Sequence, residues 1–183
     1  MRARLPAPDL DATDLRILDL LQESCKRPLA SIGEKVGLSA PAVMERVHKM
    51  EEAGVIHGYV ALVDARLLGL DVTAFIGVSV AHPRMIGAFE REVVNMDAVL
   101  ECHHVTGAHT LLLKVRTVNT EGLEELIDRI RSVEGVTRTE TNVVLSTQTE
   151  RTRIALDLEE ADAQPRQRRI VRERTPRAGR PAQ

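Results

Sequence analysis

The sequence has no tryptophan, one tyrosine, two phenylalanines and two cysteines in 183 residues. With aromatics at 2% and apolar residues at 43%, any core must be built from Val, Leu, Ile and Met. Small aliphatic domains bury a modest fraction of their surface alone and often complete that burial by oligomerising. Cys25 and Cys102 lie far apart without ligand spacing, which excludes a disulfide framework and suits reduced cytosolic thiols. No apolar run is longer than a strand, so no membrane partner is expected. Arg2 and Arg4 are followed by no apolar stretch of the kind a secretory signal needs. A Gly-rich phosphate loop, a nucleophile elbow and a recognisable pair of catalytic carboxylates are all missing, which argues against an enzyme and against a cofactor. The expected location is cytoplasmic.

An excess of positive charge is missing too. The net charge is −2, and residues 9–60 hold six Lys/Arg against nine Asp/Glu, a net of −3. If that segment binds nucleic acid, its cations must be gathered on one face.

What is present begins with helices. Asp11 can cap a helix over 12–23, with Asp14 near the positive end of its dipole and Ile17, Leu18 and Leu21 as its apolar stripe. Pro28 suits the start of a second helix over 29–36. Gly37-Leu38-Ser39 reads as a turn in which Gly37 ends one helix and Ser39 caps the next. The third helix, 40–53, turns Val43, Val47 and Met50 inward and stops at Gly54. Residues 55–64 read as an extended wing or short strand. Residues 61–71 read as a linker whose Leu67, Leu68 and Leu70 call for docking.

From Val72 the apolar period changes to two, with Ala74, Ile76, Val78 and Val80 on one side of a strand. A helix over 84–96, a hairpin of strands at 99–106 and 110–116 joined at Gly107, a helix around Leu123 to Ile130 and a strand over 136–145 follow. The order β-α-β-β-α-β is that of a ferredoxin-like domain. The expected class is therefore α+β: an N-terminal winged helix-turn-helix domain (9–60), a linker (61–71) and a ferredoxin-like domain (72–150). A tail over 159–183 reads as disordered. Within it, residues 164–183 carry seven Arg and one Glu, suited to sequence-blind contact with phosphate.

Two stretches resemble a known family. Leu10-Asp11-Ala12-Thr13-Asp14-Leu15-Arg16-Ile17-Leu18, then Val36-Gly37-Leu38-Ser39, Met44-Glu45-Arg46-Val47 and Glu51-Glu52-Ala53-Gly54-Val55-Ile56, resemble the reading head of the Lrp/AsnC regulators. Val105-Thr106-Gly107, Leu112-Leu113-Lys114-Val115 and Glu134-Gly135-Val136 resemble that family's second domain. The resemblance implies a transcriptional regulator that binds double-stranded DNA and a small-molecule effector, an amino acid or related metabolite bound near the hairpin. It also implies homodimers that assemble further, here expected as an octamer. An architectural, weakly specific DNA-packaging oligomer is the alternative. The family commonly has an acidic residue and Tyr where this chain has Thr110 and Leu111.

Candidate site residues follow from these readings. On the third helix and its approach, Ser39, Pro41, Ala42, Glu45, Arg46, His48 and Lys49, with Arg27, form the candidate DNA face. Arg46 is the expected guanine reader, while Lys49 and Arg27 are expected on phosphate. Thr106, Gly107, Ala108, His109 and Thr110 of the hairpin, with Thr139, Thr141 and Asn142 of the last strand, form the candidate effector wall. Cys102, His103, His104 and His109 crowd one hairpin, but alternation splits them between faces, so no metal site is assigned.

Overall fold

Asp11 starts the first helix of the computed structural model, which describes residues 9–158. The Asp14 amide donates to Asp11 Oδ1 (2.9 Å) and the Asp11 amide to Asp14 Oδ2 (3.0 Å), a reciprocal cap that satisfies two otherwise orphan donors. Helix α1 spans Ala12–Glu23 and buries Ile17. Helix α2, Leu29–Val36, begins after Pro28 without a side-chain cap and ends at Gly37, whose φ of 72 is left-handed. The Leu38 amide then returns to the Gly33 carbonyl (2.9 Å), and a Cβ on Gly33 would overlap the Leu38 carbonyl oxygen. Helix α3, Ala40–Glu52, is capped by Ser39, whose hydroxyl accepts from the Ala42 amide. Ile17, Ile32, Val43, Val47 and Met50 make the aliphatic core of this unit. Each contributes about 1.5–3 kcal/mol by leaving water.

Of the two readings of residues 55–64, the short strand is not formed: residues 57–64 run as neither helix nor strand. Val60, Leu62 and Val63 are exposed there. The 61–71 stretch holds a short 3-10 turn at Arg66–Leu68 with Ala65 buried, but Leu67 and Leu68 point to solvent.

The chain divides into two units, one formed by residues up to Val60 and again from Arg151, the other by Ala61–Glu150. The second unit carries strand β1 (Val72–Val80), helix α4 (Ile86–Val93), strands β2 (Val99–His104) and β3 (Leu111–Thr117), helix α5 (Thr120–Arg131) and strand β4 (Val136–Val143). The four strands form one sheet in the order β2-β3-β1-β4, and every pairing is antiparallel. This is the ferredoxin-like arrangement expected from the element order. Ala74, Ile76, Val78, Leu111, Leu113 and Val115 are buried with Phe89, Val93, Leu123, Leu126 and Ile130 of the two helices, in one core. Period two sends the alternate set, Phe75, Gly77, Leu112 and Lys114, to the opposite face. Residues 159–183, the basic tail of the sequence analysis, lie outside the described residues.

Candidate DNA-reading helix and effector face

Helix α3 presents Ser39, Pro41, Glu45, His48 and Lys49 to solvent, with Ala42 half-buried beside them. Lys49 Nζ lies 2.6 Å from Glu45 Oε1, one turn away, and this ammonium holds the Glu45 carboxyl below its ordinary range. His48 lies between Glu51 (3.8 Å) and Glu52 (3.3 Å). Arg27 stands ahead of α2 and pairs with Glu23 of α1 (2.8 Å). Each of these pairs except Glu51's is an i, i+4 contact on a solvated helix or its edge, weak enough for a phosphate to displace.

Arg46 has another task. Its Nη1 donates to Asp11 Oδ2 (2.8 Å) and Asp14 Oδ1 (2.7 Å), so in the DNA-free chain the residue expected on guanine is held by two carboxylates. Each carboxylate divides its oxygens between the α1 cap and Arg46. The guanidinium is thereby drawn to the start of α1. Burial alone would raise the Asp11 carboxyl, but the hydrogen bond from Arg46, the Asp14 amide and the Arg46 charge outweigh it and lower its pKa. The same carboxylates raise Arg46 above its usual value. Met44 was missed by the sequence reading; it is 58% exposed and belongs to the stripe of Pro41, Glu45 and His48. The i, i+3, i+4, i+7 spacing from Pro41 was the signal for it.

In the second unit the candidate effector wall comes apart into two sets. Thr139 pairs with Val78 and Thr141 with Ile76, so both threonines face the helices. Thr139 Oγ1 accepts from Arg131 Nε of α5 at 2.9 Å. Asn142, opposite Phe75, faces the other way. These three therefore cannot form one wall, because adjacent strand residues alternate.

The hairpin reaches the open face instead. His109 lies over Gly77 so closely that a Cβ at residue 77 would overlap the imidazole. His109 Nε2 is 3.8 Å from Glu140 Oε2, while Nδ1 is buried without a hydrogen-bond partner. The Thr110 amide donates to the Val78 carbonyl (2.9 Å), and its hydroxyl accepts from the Val80 amide (3.4 Å). Thr106, Gly107 and Ala108 form the exposed tip. Glu140 was not foreseen, although its place two residues before Asn142 on the same face could have shown it. Further along this face Lys114 pairs with Glu101 (3.3 Å) and with Glu150, which also meets Arg116 (3.2 Å). The hydrogen bond to Glu150 raises Lys114, and the Lys114 ammonium lowers Glu150 in return. Among the described residues no three His, Cys, Asp or Glu side chains gather as metal ligands.

Residues 10–51 match the AsnC-type helix-turn-helix domain and residues 73–154 the Lrp/AsnC ligand binding domain. An HTH-type transcriptional regulator of Mycobacterium tuberculosis is 41% identical over 138 residues, covering 75% of this chain and 93% of the relative.

The chain belongs to the Lrp/AsnC family.

Another HTH-type transcriptional regulator, from Pyrococcus abyssi, is 34% identical over 147 residues, 80% of this chain and 97% of its own length. Among solved structures, AsnC of E. coli superposes with a TM-score of 0.74 at 29% identity, covering 78% of this chain and 97% of AsnC. A Neisseria meningitidis transcriptional regulator solved as its L-Met complex gives 0.77, also at 29% identity, over 81% of this chain and 97% of that one. The relatives are transcriptional regulators, not enzymes, and this Lrp/AsnC chain is a DNA-binding regulator with a ligand-binding domain. No helix among the described residues is long and apolar enough to cross a membrane.

Proposed function

We propose that this Lrp/AsnC chain is a sequence-specific regulator whose oligomeric state and DNA binding respond to an amino acid or related metabolite. The observation that carries the effector reading is the His109 ring held over Gly77 beside Glu140, with Asn142 on the same open face. It is a half-covered patch with a carboxylate, an amide and an imidazole within one hairpin's reach. The similar Neisseria meningitidis regulator was solved with L-Met, which supports an amino acid as the class. Thr110 supplies a hydroxyl but no countercharge, so a small zwitterion is held weakly and a larger, less polar effector is preferred beside Leu112.

The DNA reading rests on α3, with Ser39 and the first free amides against phosphate, Pro41, Ala42, Met44, Glu45 and His48 over base edges, and Lys49 and Arg27 on the backbone. The sheet face bearing Phe75, which the helices leave uncovered, supports a homodimer that assembles to an octamer in the cytoplasm. One observation favours the architectural alternative: residues 164–183 carry seven Arg against one Glu. Titration calorimetry with a panel of amino acids including L-methionine, on wild type and Thr110→Asp, tests the effector reading. Tighter binding of small amino acids by Thr110→Asp is expected, and no binding by either protein overturns it. Footprinting on genomic DNA tests the rest, since a few spaced protected sites are expected and continuous protection would support packaging.

A further inference from the structure

Along α3 one stripe of side chains points outward: Pro41, Met44, Glu45 and His48, at i, i+3, i+4 and i+7. Its polar members are already engaged. Glu45 lies 2.6 Å from Lys49 Nζ, and His48 lies between Glu51 and Glu52. Met44 is the large apolar member, with 58% of its surface exposed. It lines a groove together with Leu29 of α2, Val47 and the polar Glu45, His48 and Glu51. Two carboxylates in that lining disfavour a phosphate, whereas an uncharged apolar group can enter.

The four bases present different groups in the major groove. Guanine is met by Arg or Lys, adenine by Asn or Gln, cytosine by a carboxylate, and thymine by apolar contact with its C5-methyl group. The stripe holds no Asn, Gln, Arg or Lys, and Arg46 stands off it, held by Asp11 and Asp14. What the stripe does hold, apolar carbon and the Glu45 carboxylate, suits pyrimidines. Pro41 is short and rigid. Met44 is unbranched, with three rotatable bonds and a polarisable thioether, so it has the reach to follow a methyl group. We propose that Met44 is a specificity-determining residue, reading the C5-methyl group of a thymine in the major groove. The assignment rests on the reading of the chain as a sequence-specific regulator that lays α3 in that groove, and it names a base for it. The methyl group leaves water against Met44 and the groove that Leu29 and Val47 line with it. Because the contact is with carbon alone, it separates thymine from uracil, whose hydrogen-bonding groups are the same.

The test uses the full chain and duplexes that the wild type selects from random sequence. Each thymine of a selected site is replaced in turn by uracil, which removes the methyl group and keeps every hydrogen-bonding edge. At one or more thymines uracil is expected to weaken wild-type binding about fourfold, the size expected for one buried methyl group. Met44→Ala is expected to bind the thymine and uracil duplexes equally, whereas Met44→Leu keeps the preference. Thermal melting confirms that both variants fold, as expected of an exposed position. If uracil at every thymine left wild-type affinity unchanged, or Met44→Ala kept the full preference, the thymine assignment would be overturned while the regulator reading stood. A smaller oligomer in sedimentation of Met44→Ala, with the methyl preference kept, would give the groove to a second copy of the chain instead. A wild type that enriches no sequence overturns the regulator reading, and the thymine assignment with it.

Discussion

Arg46 Nη1 stands 2.7 Å from Asp14 Oδ1, and this pair, doubled by Asp11 at 2.8 Å, binds the middle of the reading helix to the first turn of α1. Arg46→Ala is therefore expected to destabilise the first unit before it affects base reading. The partly exposed geometry sets the loss at about 1–2 kcal/mol. Urea unfolding measures it, and Asp14→Asn should not add fully to it, because the two changes remove the same contact.

Acid should loosen the same joint. The Asp11 carboxyl is held below its ordinary value in the folded chain, so its contribution is present above the usual carboxylate range, about pH 4, and is lost as pH falls through the lowered value. Carbon-detected NMR titration of Asp11 is expected to show this low midpoint in wild type and a higher one in Arg46→Ala.

Position 77 admits no side chain. Gly77→Ala is expected to cost about 1–3 kcal/mol by pushing the His109 ring off the sheet. His109→Ala should relieve most of that cost, which a thermal-melting double-mutant cycle would show. Gly33→Ala meets a backbone carbonyl instead, so no side-chain truncation should rescue it.

Tyr59 is the one tyrosine and there is no tryptophan, so ultraviolet absorbance reports it alone. Burial and a hydrogen bond to Glu51 push its pKa up to about 12. A raised pKa means a contribution to stability present below about pH 10 and lost as pH rises toward the folded value. Glu51→Gln is expected to lower the tyrosinate midpoint part of the way, since burial remains.

Removing residues 164–183 should weaken binding to all DNA alike and flatten the dependence of log affinity on log salt, because seven arginines leave with the segment. Salt titrations of full-length and shortened chains on specific and random duplexes measure this. A change in which sites are protected would assign the arginines a reading role.

The helices were legible because each announces itself locally: Asp11 and Asp14 as a cap, Gly37-Leu38-Ser39 as a turn, Val43, Val47 and Met50 as a stripe. Strand alternation disclosed the sheet in the same way. The ion pairs of Arg46 were not legible because a helix pattern shows which side is polar but not which neighbour supplies its countercharge, thirty-two residues away at Asp14. Thr139, Thr141 and Asn142 were grouped by composition where period two separates them. The ion pair of Arg153 with Asp19 of α1 had no pattern to find, since its partners lie 134 residues apart in sequence. For residues 55–64 the sequence left an extended wing and a short strand both open, because extended, apolar chain reads the same way whether or not a ladder awaits it.

The parity of β4 bears on which changes the chain can absorb. Thr139 and Thr141 share the side of Val78 and Ile76, while Glu140 and Asn142 take the other. Replacing one of these residues alters a single contact. Losing the codon for Glu140, where the ladder runs without a bulge, would slide the rest of the strand by a step and turn Asn142 toward the aliphatic interior, with Thr141 moved outside. Substitutions along this strand should therefore be tolerated one by one in a mutational library, whereas single-residue deletions should be lost almost everywhere. That contrast is the mark of a segment whose information lies in its phase more than in its letters.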